Sequence, residues 1–226
     1  MASGTFRLAA DLTVPAGQKI AVIGPSGAGK TTLIETIAGF LPVLGGRVLW
    51  GDTDLTGVAP GLRPLAILFQ DGNLFPHLSV ADNVGLGLCP GGRLDGHQRE
   101  TVARAVARVG LEGLEARKPA ALSGGQQSRA ALARVLVQAR PLLLLDEPFA
   151  ALGPALKNEM LDLVAELVRE TGASLLMVSH DPADARRIAD QVVLVMDGQV
   201  FAPQPTKALL DNPPEALKAY LGGGNS

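Results

Sequence analysis

The sequence has few of the features that mark secreted or nucleic-acid-binding chains. It contains one cysteine, Cys89, so no disulfide can form within the chain, and we expect a reducing compartment. Lysine and arginine number 20 against 22 aspartate and glutamate residues. A net charge of -2 argues against a nucleic-acid partner, because such proteins usually carry a basic excess.

Long apolar runs are also missing. The most apolar piece is the run of four leucines at 142–145, far short of the roughly 18 residues of a membrane span. The residues after Met1 lack the basic segment and apolar run of a signal peptide. We therefore expect a soluble, cytosolic chain, and its 226 residues, 47% of them apolar, suffice for one domain with a sizeable core.

Short β-branched or leucine-rich runs alternate with longer helical patterns towards both ends of the chain, which is typical of βαβ units around a parallel sheet. Between about 80 and 138 the strand patterns give way to helical periodicity, with Val102, Val106 and Val109 on one face. We predict one α/β domain over 1–226, with a core of residues 1–78 and 140–226 and a helical lobe at 79–139. Strands are predicted at 19–23, 47–50, 65–69, 142–145, 174–179 and 192–196, and helices at 31–40, 123–138 and 155–170.

A phosphate-binding loop follows the first long strand. Residues 24–31 match the pattern G-x-x-x-x-G-K-[ST] in full, with a predicted strand before and a helix after. Glycines let consecutive N–H groups surround phosphate oxygens, Lys30 can reach the β and γ phosphates, and the Thr31 hydroxyl can ligate Mg²⁺. This predicts a nucleoside triphosphate site whose phosphate-binding residues are Gly24, Pro25, Ser26, Gly27, Ala28, Gly29, Lys30, Thr31 and Thr32.

Two adjacent carboxylates, Asp146 and Glu147, end the leucine strand. A strand tip beside the phosphate loop would place Asp146 near Mg²⁺, directly or through water. Glu147 would then point towards the attacking water as a general base. Solvated acids at a strand end are common, so the interpretation depends on the phosphate loop.

The pentapeptide Leu122-Ser123-Gly124-Gly125-Gln126 lies upstream of these carboxylates. Taken alone, it predicts a helix with Ser123 as its N-cap and a second phosphate-binding end. With the phosphate loop and the Asp-Glu strand, it resembles the signature of the ATP-binding-cassette ATPases. The resemblance implies a P-loop NTPase (RecA-like) parallel-sheet core with an inserted helical lobe, which binds ATP and Mg²⁺ and hydrolyses ATP.

The resemblance also implies roles for single residues. The signature would act in trans on the γ-phosphate of a second copy, so that a homodimer encloses two nucleotides head to tail. Gln70 would ligate Mg²⁺ together with Thr31 and Asp146, and would link the core to the helical lobe. His180 would contact the γ-phosphate, and Pro119 would act as a hinge before the signature. The implied catalytic residues are Glu147, His180 and Gln70.

Longer strings at 69–80, 83–88, 145–149 and 177–180 resemble the ATP-binding subunits of bacterial thiamine importers. This likeness implies peripheral binding at the cytoplasmic face of the inner membrane. The helical lobe, with the segment after Gln70, would receive a short cytoplasmic helix from an integral membrane permease, and a periplasmic solute-binding protein would act indirectly. No nucleic acid is implied. Iron, sulfate and polyamine importer subunits share most of these strings, so the solute stays open.

The chain departs from the family near the expected adenine-stacking position. The family usually has an aromatic residue some twenty positions before the phosphate loop, and that position falls near Ser3 or Gly4. Phe6 is the nearby aromatic and could substitute. Loss of one base stack would weaken binding by about 1–3 kcal/mol, while phosphate and Mg²⁺ contacts would still hold the nucleotide.

Two further departures lie near the predicted catalytic residues. Gly153 stands where the family has an aspartate that shapes the dimer interface, and weaker closure is one interpretation. The alternative is a plain turn with Pro154 at the first helical position. After the signature, Gln127 and Ser128 replace a more basic pair, a change for which the sequence offers no functional account.

Three other function classes share some of these features. A soluble cassette ATPase acting on nucleic acid or ribosomes usually has two cassettes or long insertions and a basic surface. A small-molecule kinase with a phosphate loop would need neither the signature nor His180. A cassette that binds ATP and hydrolyses it poorly stays open because of Gly153.

Overall fold

The computed structural model describes residues 6–70, 72–91, 93–215 and 217–218. Strands and helices alternate over much of this range, as the sequence predicts. In chain order the elements are β1 (Ala9–Ala10), β2 (Lys19–Ile23), α1 (Lys30–Ala38), β3 (Leu49–Trp50), β4 (Thr53–Asp54), β5 (Leu65–Leu68), α2 (Val80–Gly85), α3 (Gly96–Arg108), α4 (Gly124–Leu136), β6 (Leu142–Asp146), α5 (Pro154–Thr171), β7 (Ser174–Val178), α6 (Pro182–Ile188), β8 (Gln191–Met196), β9 (Gln199–Val200), β10 (Gln204–Pro205) and α7 (Thr206–Asp211).

The chain divides into two compact units. The first comprises Met1–Leu65 and Ser174–Ser226, and the second comprises Ala66–Ala173. The predicted helical lobe at 79–139 falls inside the second unit. The predicted boundaries of core and lobe stay a prediction.

In the first unit, β2 is the central strand of a mostly parallel sheet. It pairs in parallel with β7 on one side and with β8 on the other. Its side chains from Ile20 to Ile23 are fully buried, which explains why this strand is apolar without alternation. Strands β9 and β10 pair antiparallel with β8, β1 runs parallel to β9, and β3 and β4 form a separate hairpin. The predicted strand at 47–50 is therefore shorter and belongs to that hairpin.

A buried arginine anchors the end of α1. Arg63 is 2% exposed, and its guanidinium donates to the carbonyls of Thr36 (3.0 Å), Ile37 (2.6 Å) and Val58 (2.9 Å). Two of these acceptors belong to the last turn of α1, where carbonyls lack the usual N–H four residues further on and carry partial negative charge. The Thr36 carbonyl also accepts from the Gly39 N–H at 3.1 Å. Gly39 makes room, because a Cβ there would stand 2.6 Å from the Arg63 Nε. Burial lowers the pKa of Arg63 below its ordinary value.

The second unit is largely helical. Val80 and Val84 of α2 pack with the predicted valine face of α3 and with apolar residues of α4, so that face is confirmed as buried. Helix α5 buries Met160, Leu161 and Val164 among others. Strands β5 and β6 are neighbours in this unit. In the part of the chain that the structure describes, no helix is both long and apolar enough to cross a membrane.

We expect Arg63→Met to destabilise the protein by about 2–4 kcal/mol, because it leaves buried carbonyls without their charged donor. Thermal unfolding followed by circular dichroism should show a midpoint lower by roughly 2–4 °C for each kcal/mol. The control Arg47→Met removes an exposed arginine of the same unit and should stay within about 0.5 kcal/mol of the parent. Equal midpoints for the two variants would contradict an anchoring role.

Candidate nucleotide-binding site

The loop between β2 and α1 depends on close backbone packing. A Cβ at Gly24 would collide with the carbonyl oxygen of Val195 on β8, so only glycine fits directly after the central strand. Gly27 and Gly29 have φ values of 77° and 105°, in the left-handed region that glycine enters without strain. Gly29 is the N-cap of α1 and offers no side chain to the first N–H groups of that helix. N–H groups at a helix start are suited to bind an anion, and their binding of phosphate here stays a prediction.

Lys30 lies across this loop. Its side chain is 7% exposed, and Nζ donates to the carbonyl oxygens of Gly24 (2.8 Å) and Pro25 (2.9 Å). The ammonium group is therefore held over the mouth of the loop by the loop's own backbone. Thr31, the next residue, is exposed at the start of α1.

His180 stands at the same edge of the first unit's sheet. It follows β7, which runs parallel to β2, and the Ser179 N–H donates to the Val22 carbonyl at 3.2 Å. The Ser179 hydroxyl donates to Asp184 at 2.6 Å and accepts from the Asp181 N–H at 3.0 Å. These bonds fix the turn that carries the exposed His180, and the sequence reasoning missed the part that Asp184 plays.

The predicted adenine-stacking position at Ser3 or Gly4 lies outside the described residues. Phe6 is described and is 51% exposed. Its ring packs against the end of the phosphate loop, since a Cβ at Gly29 would stand 2.7 Å from the Phe6 Cζ. An aromatic face therefore lies beside the loop in the first unit.

The second unit carries the predicted pair of carboxylates at the end of β6. Asp146 is 7% exposed and closes the strand, while Glu147 is partly buried. Glu147 has a φ of 44°, an uncommon conformation for a residue with a side chain. Such backbone strain costs on the order of 1–3 kcal/mol and is concentrated at functional sites.

The predicted signature forms the start of α4 as expected. Ser123 is the N-cap, its hydroxyl accepts from the Gln126 N–H at 3.3 Å, and the Gln126 side chain accepts from the Ser123 N–H at 3.0 Å. This reciprocal capping box satisfies two donors at the helix start. A Cβ at Gly125 would collide with Leu156 of α5, so this glycine permits close helix packing. Leu122 is buried and Gly124 opens the helix.

Gln127, which the sequence left without a functional account, has a structural role. Its Nε2 donates to the carbonyls of Pro119 (3.0 Å) and Leu122 (3.3 Å), which ties the turn before the signature to α4. The Ser128 hydroxyl donates to the Gly124 carbonyl at 3.1 Å. The interpretation of Gly153 as a plain turn is supported, because it is the N-cap of α5 with Pro154 next in the helix.

Gln70 lies in an exposed turn after β5, and Asp71 beside it is outside the described residues. The structure thus brings the phosphate loop and His180 to one edge of the first unit. The second unit holds Gln70, the signature, Asp146 and Glu147. Their joint action on one nucleotide stays a prediction.

Comparison with known proteins identifies the class. A family model for ABC transporters matches residues 9–150, more than half of the chain, so the chain belongs to this family. The predicted resemblance and fold class are confirmed, and the chain is an ATP-binding-cassette ATPase. A solved relative, the ATP-binding cassette MJ0796 in a dimeric post-hydrolysis state bound to ADP and Pi, superposes with a TM-score of 0.76 at 28% identity. The match covers 86% of this chain and 88% of that one.

Curated relatives point to one branch of the family. The thiamine import ATP-binding protein ThiQ of Ruegeria sp. (strain TM1040) is 66% identical over 219 residues, which cover 97% of this chain and 95% of the relative. The ThiQ protein of Cereibacter sphaeroides is 61% identical over the same share of both chains.

We expect Glu147→Gly to stabilise the nucleotide-free protein by about 1 kcal/mol, because glycine adopts the left-handed backbone without strain. The thermal unfolding midpoint should rise by roughly 2–4 °C. The control Glu166→Gly, in the middle of α5, should instead lower stability by about 1 kcal/mol. A lower midpoint for both glycine variants would show that the backbone at Glu147 is not strained.

Proposed function

We propose that this chain is the ATP-hydrolysing subunit of a bacterial thiamine importer, and that it works as a homodimer bound to a membrane permease. The observation that carries the proposal is the 66% identity, over 97% of the chain, to a thiamine import ATP-binding protein. The phosphate loop and the capped signature helix supply the machinery that such a subunit needs.

ATP binds first through its phosphates. The N–H groups at the start of α1 donate hydrogen bonds to the phosphate oxygens. The Lys30 ammonium neutralises the β and γ phosphates once it leaves the carbonyls of Gly24 and Pro25. Phe6 offers an aromatic surface beside the loop for the base. Because the loop backbone is already shaped, ATP binding requires little backbone rearrangement there.

Hydrolysis breaks the bond between the γ-phosphorus and the oxygen that bridges the β and γ phosphates, and this oxygen leaves with ADP. Glu147 takes a proton from the attacking water as the new P–O bond forms, and His180 donates a hydrogen bond to a γ-phosphate oxygen. The strained backbone at Glu147 supports this assignment, since such strain is retained where a side chain must be aimed.

Mg²⁺ would be held by Thr31, Gln70 and Asp146 together with the phosphates of ATP. Each of these residues offers an oxygen atom, the donor that Mg²⁺ takes, and nucleotide sites usually provide only one or two protein carboxylates. Among the described residues, no group of three or more His, Cys, Asp or Glu side chains is arranged to hold a metal ion. The ion would neutralise charge that develops on the phosphate oxygens.

A second copy completes each site in the proposal. The start of α4, with Ser123 and two glycines, would face the γ-phosphate of the partner's ATP, so that ATP closes the dimer and hydrolysis reopens it. The solved relative is dimeric, which supports the pairing of two copies. Gly153 supplies no carboxylate at that interface, and closure would depend on the signature.

The permease would bind at the helical part of the second unit, on the cytoplasmic face of the inner membrane. A surface cavity of about 580 Å³ lies between α2 and α3 and is lined by apolar residues such as Leu78, Leu86 and Leu94 together with Arg99 and Glu115. Its size suits one end of an amphipathic permease helix. The periplasmic solute-binding protein acts through the permease and does not contact this chain.

We expect Glu147→Gln to retain ATP binding while hydrolysis falls by about 100-fold or more, because the amide cannot accept the proton of the attacking water. Equilibrium binding of ATP and steady-state release of phosphate measure the two properties. The control Glu112→Gln changes an exposed carboxylate of the same unit and should leave both unchanged. Unimpaired turnover in Glu147→Gln would refute its role as the base.

The solute is tested by reconstitution with the cognate permease and binding protein in liposomes. We expect thiamine to stimulate ATP hydrolysis and iron, sulfate and polyamines to leave it at the basal rate. Stimulation by one of the other solutes would replace thiamine in the proposal and leave the ATPase assignment intact.

A further inference from the structure

The segment that follows Gln70 is fixed against α4 by its backbone. Gly72 and Asn73 both have positive φ values, 63° and 47°, so the chain turns sharply there. A Cβ at Gly72 would stand 3.2 Å from the Cβ of Ala131 on α4, so the backbone runs close to that helix. We call residues 72–79 the post-glutamine loop.

Arg134, in the last turn of α4, holds the first part of this loop. Its guanidinium donates to the carbonyl oxygens of Asn73 (2.7 Å) and Gly72 (2.8 Å). The guanidinium carbon lies 6.0 Å from the centroid of the Phe75 ring, within cation–π range. Burial lowers the pKa of Arg134 below its ordinary value, which agrees with a guanidinium drawn out of water by this packing.

Asn83 holds the remainder of the loop against α2. It is fully buried, and its Oδ1 accepts from the Phe75 N–H at 2.7 Å. Its Nδ2 donates to the carbonyls of Phe75 (3.1 Å), Leu78 (3.2 Å) and Ser79 (3.0 Å). The post-glutamine loop is therefore anchored to α4 at its start and to α2 at its end.

Helix α4 thus connects the signature at its first turn with the post-glutamine loop at its last turn. Its first residues form the signature, and a residue of its last turn holds the backbone that follows Gln70. An α-helix transmits displacement along its axis because its turns are joined by hydrogen bonds. A shift of the signature end would reach the post-glutamine loop through Arg134.

We propose that Arg134 is a positioning residue that sets the place of Gln70 by fixing the carbonyls of Gly72 and Asn73 to the signature helix. The proposal rests on the proposed function, in which Gln70 is a Mg²⁺ ligand. A purely structural arginine would stabilise α4 and leave the chemistry of ATP hydrolysis unaltered. The two roles differ in what its loss does to kcat and to the Mg²⁺ requirement.

Arg129 provides a matched control on the same helix. Its guanidinium also donates to a backbone carbonyl, that of Val109 at 2.7 Å, and pairs with Glu159 at 2.6 Å. It makes these bonds away from the post-glutamine loop. Arg129→Met and Arg134→Met therefore each remove a backbone-bonded arginine from α4, and only the second releases the loop.

The experiment measures steady-state ATP hydrolysis by the purified full chain, with ATP and Mg²⁺ varied separately. For Arg134→Met we expect kcat to fall about tenfold, the KM for ATP to stay within about twofold, and the half-saturating Mg²⁺ concentration to rise severalfold. Arg129→Met should keep kcat and the Mg²⁺ requirement within about twofold, even when its thermal unfolding midpoint falls as much as that of Arg134→Met. Arg134→Lys should be intermediate, because one ammonium replaces a fork that reaches two carbonyls.

Gly72→Ala is a second variant that leaves Arg134 in place. The added Cβ would stand 3.2 Å from the Ala131 Cβ, tighter than an ordinary contact, and would strain a positive φ. We expect the same loss of kcat and Mg²⁺ affinity in this variant, which tests the proposal even when Arg134→Met does not fold. Equal losses in the Arg129 and Arg134 variants, or a raised KM with kcat unchanged, would overturn the proposal. A parent protein that hydrolyses no ATP would instead refute the proposed function.

Discussion

The parallel pairing of β2 with both β7 and β8 is the constraint on which the first unit depends. Because β2 is buried between two strands, its carboxyl end is fixed, and the backbone of Gly24 must pass against Val195 of β8. The same pairing places His180 beside that end. A phosphate loop and a histidine that are 150 residues apart in sequence thus share one edge because three strands run in register.

Much of the fold could be predicted because it depends on residues that are close together in sequence. The strand before the glycine loop, the helix after it, the start of α4 at Ser123 and the valine face of α3 all depend on residues close in sequence, and each is found as predicted. The hydrogen bonds of Gln127 and Asp184 could not be predicted, because the folded structure determines their partners. A glutamine that binds two carbonyls has no sequence pattern that distinguishes it from one in water.

The two arginines that sequence reasoning missed act in the same way in the two units. Arg63 binds the carbonyls that end α1, and Arg134 binds the carbonyls of the post-glutamine loop. Because the acceptors are backbone carbonyls, no acidic side chain in the sequence indicates where either arginine binds. A planar guanidinium with several donors suits this task better than an ammonium does, because it can reach separate carbonyls at once.

The hydrogen bonds of Lys30 within the loop affect the free energy of phosphate binding. Its ammonium already has two good acceptors in the loop carbonyls, so in the proposed function an entering phosphate would exchange with them. The affinity of this loop for an anion is therefore the difference between two sets of charge-assisted hydrogen bonds, and the internal set keeps the loop shaped before the anion arrives. The protein thus gives up some strength of binding in return for a loop that needs no folding when ATP arrives.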